Sequence, residues 1–479
     1  MPLLYVTNKQ MPDKELLRKI PKVDDILKHG EWKKLIDTYP EGVAKDALRT
    51  SLDELRLTIK EGKVTSILSL QDIIEEVRKK VVESITPKLK RVINGTGVII
   101  HTNLGRSLLA KSAINAITNA ASHYINLEYD LTKGERGDRY EHCTFILKKL
   151  TGAESALVVN NNAGAVFLVL NTIAEGKEVI ISRGELVEIG GSFRMPDVMK
   201  ESGAILREVG TTNRTYKEDY ERAIYENTGL IMKAHTSNFR IKGFTHETSI
   251  EEFVSIGKKH NIPTYYDTGS GLLFPLKEIG IHDEPSILEE MKKGLDVISF
   301  SGDKLLGAPQ AGIILGEKAY INAMKKNPLT RALRPDKFTL AGLESTLLLY
   351  LDGETAKDNI PTLKMIYEDK HTLKRRAQRI TNILKKGCKN LSVSTVELYS
   401  EVGGGTLPDV SIPSFGVALK PHTISIDMLE ERLRNMEVPI IGRIEKDTFL
   451  LDMRTILKDD EPILISGIET AFQDGKQNP

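Results

Sequence analysis

Cysteine is scarce in this sequence: two in 479 residues, Cys143 and Cys388, too far apart for any CxxC pairing. That argues against a disulfide framework and a cysteine-built zinc site, and it fits a reducing cytoplasm. Charge of one sign is missing too. With 67 Lys and Arg against 66 Asp and Glu the net charge is +1, so no global basic field clamps nucleic acid, and any such contact needs a local patch. No run approaches the roughly 18 apolar residues of a membrane span, and charges or prolines interrupt the opening segment too often for a secretion signal. The Gly-Lys pairs at Gly62, Gly176, Gly257 and Gly475 are followed by Val64, Glu178, Lys259 and Gln477, never by Ser or Thr, which removes a Walker A loop. GxGxxG after a strand, HExxH and an EF-hand loop are all lacking. His282-Asp283-Glu284 offers the H-x-E half of a zinc deaminase signature without its PCxxC half. With 40% hydrophobic and 28% charged residues, the composition is that of a soluble globular protein.

What is present changes character along the chain, whose length suits about three domains. In residues 1–85 apolar positions keep helical spacing. Leu48, Leu52, Leu55 and Ile59 form one face, as do Ile73, Val77, Val81 and Ile85. Ser69 with Asp72 reads as a helix start, and Pro87 as its stop. This predicts a helical domain with a linker helix. Residues 86–340 alternate short apolar runs with helical stretches, the pattern of an α/β domain with a mostly parallel sheet. Its expected strands lie at 156–159, 179–181, 229–232, 264–266, 297–300 and 312–315, with helices at 163–174 and 250–260. Residues 341–479 read as a long helical stretch to about 386, then a smaller α+β domain with strands at 391–396, 410–418, 439–443 and 448–452.

One segment stands out chemically. Asp296-Val-Ile-Ser-Phe-Ser-Gly-Asp-Lys304 is an apolar strand entering a small polar turn that ends in a lysine. Held there and partly desolvated, a lysine loses basicity and can form a Schiff base. A lone lysine in a loop is most often a solvated charge, so its companions decide. Asp267 ends another apolar run, where the C-terminal edge of a parallel sheet meets its ligand crevice. A carboxylate there can keep a pyridinium nitrogen protonated, the partner pyridoxal phosphate needs as an electron sink. Asn160-Asn161-Asn162-Ala163 follows a strand and opens a helix, so its amides suit a phosphate. Ser299 and Ser301 are expected to add hydroxyl donors to that phosphate. Anion loop, carboxylate and Ser-x-x-Lys in this order form the layout of a fold-type-I pyridoxal-phosphate enzyme.

The whole chain resembles the bacterial selenocysteine synthase family, the L-seryl-tRNA(Sec) selenium transferases. The resemblance rests on stretches including Arg91-Val-Ile-Asn-Gly-Thr-Gly, His101-Thr-Asn-Leu-Gly-Arg106, Gly134-Glu-Arg-Gly-Asp-Arg139, Ser182-Arg-Gly-Glu-Leu-Val-Glu188, His235-Thr-Ser-Asn-Phe-Arg240, Asp267-Thr-Gly-Ser-Gly, Ser301-Gly-Asp-Lys304 and Gly403-Gly-Gly-Thr-Leu-Pro408. Ala308 departs from the glycine expected in the family's lysine loop. The resemblance implies an aspartate-aminotransferase-like large domain, a pyridoxal 5'-phosphate cofactor on Lys304, and proton transfer by Asp303. It implies a pocket of Arg106, Arg331 and Arg334 for selenophosphate; the two last sit three apart, on one face if helical. His235, Asn238 and Arg240 are expected to line the same cleft, Ser182 to Glu188 to face the cofactor ring, and Arg443 and Arg454 to be candidates for the substrate's carboxyl end or for structure.

The reaction so implied converts seryl-tRNA(Sec) to selenocysteinyl-tRNA(Sec): Lys304 takes the Cα proton, the β-hydroxyl leaves to give an aminoacrylyl-tRNA, and selenium adds. Residues 1–85 would grip the tRNA body, with positive charge from Arg18, Lys19 and Lys88 to Arg91 interleaved with Asp24, Asp25, Glu75 and Glu76. The family's rings of dimers imply a homo-oligomer, a decamer, in the cytoplasm, with Arg106 and the Gly134–Arg139 loop at a subunit boundary. Two readings compete: a pyridoxal-phosphate lyase or ammonia-lyase of a small amino acid, and a tRNA-binding scaffold without catalysis.

Overall fold

The computed structural model describes residues 13–472 apart from 64–68, 192 and 283, so the opening segment, Asp283 and the Gly475 pair lie outside the described residues. The chain divides after Arg91 into two compact units.

In the first unit the helical spacing is realised. Helices α1 (Gly30–Thr38), α2 (Glu41–Lys60) and α3 (Leu70–Ile85) bury Trp32, Leu35, Leu48, Leu52, Ile73, Val77 and Val81 in one core. Each such side chain withdrawn from water contributes about 1.5–3 kcal/mol before chain entropy is counted. A capping box starts α3: Ser69 Oγ accepts from the Asp72 amide at 3.2 Å, and Asp72 Oδ2 from the Ser69 amide at 3.0 Å. The helix ends before Pro87, and Ile85, expected on the buried face, is exposed in its last turn.

The second unit is built on a seven-stranded sheet. Its strands are β1 (Ser155–Val159), β2 (Glu178–Ser182), β3 (Ile205–Val209), β4 (Thr228–Ala234), β5 (Thr264–Gly269), β6 (Val297–Ser301) and β7 (Gly312–Gly316), in spatial order β1-β7-β6-β5-β4-β2-β3. Only β7 runs antiparallel to its neighbours β6 and β1. β1, β6 and β7 are buried at every position, which is why they read as continuous apolar runs. The edge strand β3, Ile-Leu-Arg-Glu-Val, escaped the sequence reading because Arg207 and Glu208 interrupt its apolar run.

A four-stranded antiparallel sheet follows, with β8 (Leu391–Gly403), β9 (Thr406–Pro421), β10 (Arg443–Glu445) and β11 (Thr448–Asp452) in order β8-β9-β11-β10. The expected boundaries shift at both ends of the large domain. Residue 340 falls inside helix α4 (Lys337–Leu349), whose Leu340, Leu343 and Leu347 pack into the core of the seven-stranded sheet. Ile93, placed by sequence in the large domain, pairs with Ile440 and packs with the small sheet's core. The long helical stretch is four helices from Lys337 to Gly387, broken at 350–352, 360 and 368–369.

Candidate functional site

β5, β6 and β1 deliver their C-terminal ends, or the loops that follow them, to one edge of the sheet. From β6 the chain makes a polar turn and returns as β7, and Lys304 lies in that turn, 5% exposed. Its amine has no hydrogen bond or ion pair among the described residues. Burial, then the Arg106 guanidinium, hold its pKa below the ordinary lysine value, against the pull of Asp267, Asp303 and Glu284. Gly302 has no room for a side chain, since a Cβ there would stand 2.6 Å from the Pro309 carbonyl oxygen. Ala308 is accommodated in the family's glycine position: it is buried, and its amide donates to the Gly302 carbonyl at 2.9 Å.

Asp267, at the end of β5, is 8% exposed. Its Oδ1 accepts from Asn162 Nδ2 at 2.8 Å, the Gly269 amide at 3.1 Å and Ser299 Oγ at 3.4 Å. No described residue donates to Oδ2, so one carboxylate oxygen is locked and the other is available. Burial raises the pKa of this carboxyl even against those donors, which means the group gains from a cationic partner.

Beyond β1 the anion loop opens helix α5 (Asn162–Ala174). Asn161 caps it, its side chain accepting from the Gly164 amide at 2.7 Å. The Asn162 and Ala163 amides make no hydrogen bond among the described residues and add to the positive end of the helix dipole. Two expectations shift here. Asn162 turns its side chain to Asp267, leaving its Oδ1 buried without a partner. Ser299, expected on a phosphate, shares a hydrogen bond of 2.7 Å with the Tyr265 hydroxyl and faces Asp267, because an inward position on β6 looks across to β5. Ser301 is buried at the end of β6, three residues before Lys304. A free amine, an open carboxylate oxygen and unpaired helix amides on one edge fit pyridoxal phosphate: an aldehyde for the amine, a ring nitrogen for the acid, a phosphate for the amides.

The arginines divide. Arg106 donates to Asp303 Oδ2 at 2.8 Å within one chain, from a left-handed backbone with φ 65°. Arg334 stands 3.6 Å from Glu128, which also takes Arg139 at 2.7 Å and Arg136 at 3.6 Å. Those guanidiniums hold the Glu128 carboxyl below its usual range, the Arg139 hydrogen bond foremost. Arg331 is exposed, and helix Leu329–Ala332 ends before Arg334, so the two do not share a helix face. They do flank the anion loop, since the Leu333 carbonyl accepts from the Asn160 amide at 2.8 Å. Among the described residues of one chain nothing ties Arg106 to Arg331 or Arg334.

His235 follows β4, its amide donating to the Asp267 carbonyl at 2.8 Å. Asn238 is exposed and donates to the Glu188 carbonyl at 2.8 Å, beside the Gly403–Gly405 turn, and Arg240 is exposed beyond it. In the segment expected to face the cofactor ring, Glu185 is instead committed to structure, since it accepts from Lys233 at 2.5 Å and from the Ala234 amide at 3.2 Å. Arg454 is also structural: buried, it donates to the carbonyls of Met365, Glu368 and Pro413. Arg443 bonds the Thr96 and Tyr399 carbonyls and pairs with Glu445 at 3.0 Å. Sequence reasoning missed Tyr265 and Glu284 as partners of the site. Tyr265 carried a signal, lying two residues before Asp267 on the same strand face.

Comparison with known proteins supplies the lineage. The family described as L-seryl-tRNA selenium transferase matches residues 92–457, and the selenocysteine synthase N-terminal family matches residues 17–56. An L-seryl-tRNA(Sec) selenium transferase of Aquifex aeolicus is 51% identical over 448 residues, covering 93% of this chain and 97% of the relative. One from Clostridium botulinum is 49% identical over 455 residues, covering 95% and 98%. Among solved structures, D-glucosaminate-6-phosphate ammonia-lyase superposes with a TM-score of 0.57 at 19% identity, over 83% of this chain and 99% of that one, a likeness of fold alone. By sequence over nearly its whole length, the chain belongs to the L-seryl-tRNA selenium transferase family.

Proposed function

We propose that this protein converts L-seryl-tRNA(Sec) to L-selenocysteinyl-tRNA(Sec) with pyridoxal 5'-phosphate as cofactor and selenophosphate as selenium donor. The observation that carries the chemistry is a buried, unpaired Lys304 amine on the same sheet edge as a carboxylate with one open oxygen. Bound there, pyridoxal phosphate supplies an electron sink for the charge left at Cα when its proton departs. This chain's residues do the rest. Lys304, kept below ordinary lysine basicity, removes and returns the Cα proton. Asp267 holds a ring nitrogen protonated through Oδ2, while Asn162, Gly269 and Ser299 fix its plane through Oδ1. Asn161, Asn162, Ala163 and Ser301 hold the phosphate. Asp303, beside Lys304 and paired with Arg106, carries a proton toward the departing β-hydroxyl. Arg106, Arg331 and Arg334 gather the donor's oxyanion, and His235 and Asn238 line the seryl side. Because one chain does not bring those arginines together, the reading includes a homo-oligomer, a decameric ring of dimers, that completes the pocket, working in the cytoplasm.

The test is the visible spectrum of the purified protein, titrated with seryl-tRNA(Sec) and separately with free serine. A yellow protein whose band moves only with the charged tRNA is expected. A band that moves with free serine or another small amino acid, and not with the tRNA, would transfer the assignment to a small-molecule lyase.

The helical unit is assigned to the tRNA body. Removing residues 1–85 leaves Ile93 and Asn94 free to pair with Ile440 and Ile441, so the second unit keeps its sheets and its cofactor. The expected result is a yellow truncated protein whose tRNA affinity has fallen by at least about tenfold, or 1.4 kcal/mol; unchanged affinity in a filter-binding assay would contradict the assignment.

A further inference from the structure

Glu284 has no role in the chemistry above, yet its environment is unusual. Its side chain is only 1% exposed, and neither carboxylate oxygen has a hydrogen-bond partner among the described residues. A buried carboxylate left without donors costs several kcal/mol of desolvation, so its placement calls for a compensating group. That group is His235: its Nε2, also buried and unpartnered, stands 3.5 Å from Glu284 Oε2.

Both residues are anchored to the site. The Ser286 hydroxyl donates to the Leu273 carbonyl at 2.8 Å and the Ile287 amide to the Leu272 carbonyl at 2.8 Å, which pins the segment carrying Glu284 to the loop after β5. His235 is joined by its backbone to Asp267 on the neighbouring strand. Glu284 is near enough to Lys304 for its charge to act on the amine. A separation of 3.5 Å exceeds the roughly 2.7–2.9 Å of a charge-assisted hydrogen bond, leaving room to tighten once the crevice is filled.

We propose that Glu284 is a positioning residue that fixes the ring of His235 by accepting from its Nε2, so that the rest of the imidazole presents a set face to the cofactor and the seryl group. The logic is that of the buried acid which orients a catalytic histidine elsewhere. The proposal rests on the cofactor reading above. It also gives Glu284 a use unrelated to metal binding; among the described residues no group of three metal-capable side chains gathers.

The experiment compares the full-length holoenzyme with Glu284→Gln, Glu284→Asp, His235→Asn and the double variant Glu284→Gln/His235→Asn. It reads melting temperature, induced circular dichroism of the cofactor band, kcat, and KM for seryl-tRNA(Sec). Glu284→Gln and His235→Asn should each retain the visible band, change its induced dichroism alike, and lower kcat on the order of 10- to 100-fold with KM within about twofold. The double variant should be no worse than either single, and Glu284→Asp should recover part of the loss. Wild-type dichroism and kcat in Glu284→Gln, or losses that multiply in the double variant, would overturn the proposal. If Glu284→Gln does not fold, His235→Asn decides alone: unchanged kcat and dichroism overturn it. A wild-type protein without any visible band would overturn the cofactor reading itself and this inference with it.

Discussion

Lys304→Ala is expected to give a folded, colourless protein whose turnover is lower by roughly 10³-fold or more, since it removes the cofactor's covalent anchor and the base that moves the Cα proton. The melting temperature of the cofactor-free protein should not fall. The Lys304 amine makes no hydrogen bond or ion pair among the described residues, and burial disfavours its charged form, so the substitution removes a desolvated amine rather than a contact. Absorbance and melting measured side by side separate loss of the site from loss of the fold. Retained colour and turnover would place the cofactor elsewhere.

Asp267→Asn should cost nearly as much, about 10³-fold in kcat, while the cofactor still binds. The amide can keep Oδ1 in place for the donors from Asn162, Gly269 and Ser299, so geometry survives and only the charge toward a ring nitrogen is lost. The pH dependence of stability gives a second reading. Burial raises the carboxyl's pKa in the folded, cofactor-free protein, so the folded state holds that proton more tightly than the unfolded chain. The stability this contributes is complete below the unfolded value of about 4 and is lost as pH rises through the folded value. Asp267→Asn removes that slope. Melting curves of the two cofactor-free proteins, measured from about pH 4 upward, should diverge in the variant's favour; parallel curves would show that the carboxyl is not strained by burial.

Much of this was legible in the sequence wherever one strand or one loop held the information. The six strands read as apolar runs all form, because burial on both faces leaves no alternation to misread. The places of Lys304, Asp267 and Asn161 at the sheet edge were readable because each follows an apolar run into a turn, a local pattern. What depended on pairing between distant segments was not readable. The turn of Ser299 toward Tyr265 and Asp267 is set by the register of β5 against β6. The commitment of Glu185 to Lys233 is set by the packing of the segment after β2 on β4. The capture of Arg454 by three carbonyls joins Pro413 of the small sheet to residues 365–368. The segment His282-Asp283-Glu284, set aside for want of a PCxxC half, gave no sign that its glutamate stands 3.5 Å from His235, a residue far away in the sequence.

The antiparallel return of β7 has a consequence for how the chain must be made. Among the described residues β1 has no sheet neighbour except β7, which emerges from the ribosome long after it, and Gly312 fits against the Asn161 carbonyl so closely that a Cβ there would stand 2.2 Å away. The anion loop and the lysine turn are therefore brought together by a contact of very long sequence separation, which forms slowly and late. A nascent chain stalled before Gly312 can hold β2 to β6 but leaves β1 unpaired, its hydrophobic edge open to chaperones or to other chains. Capture of the cofactor thus waits for β7, at a stage when the helices after Gly316 and the whole small sheet are still to be made.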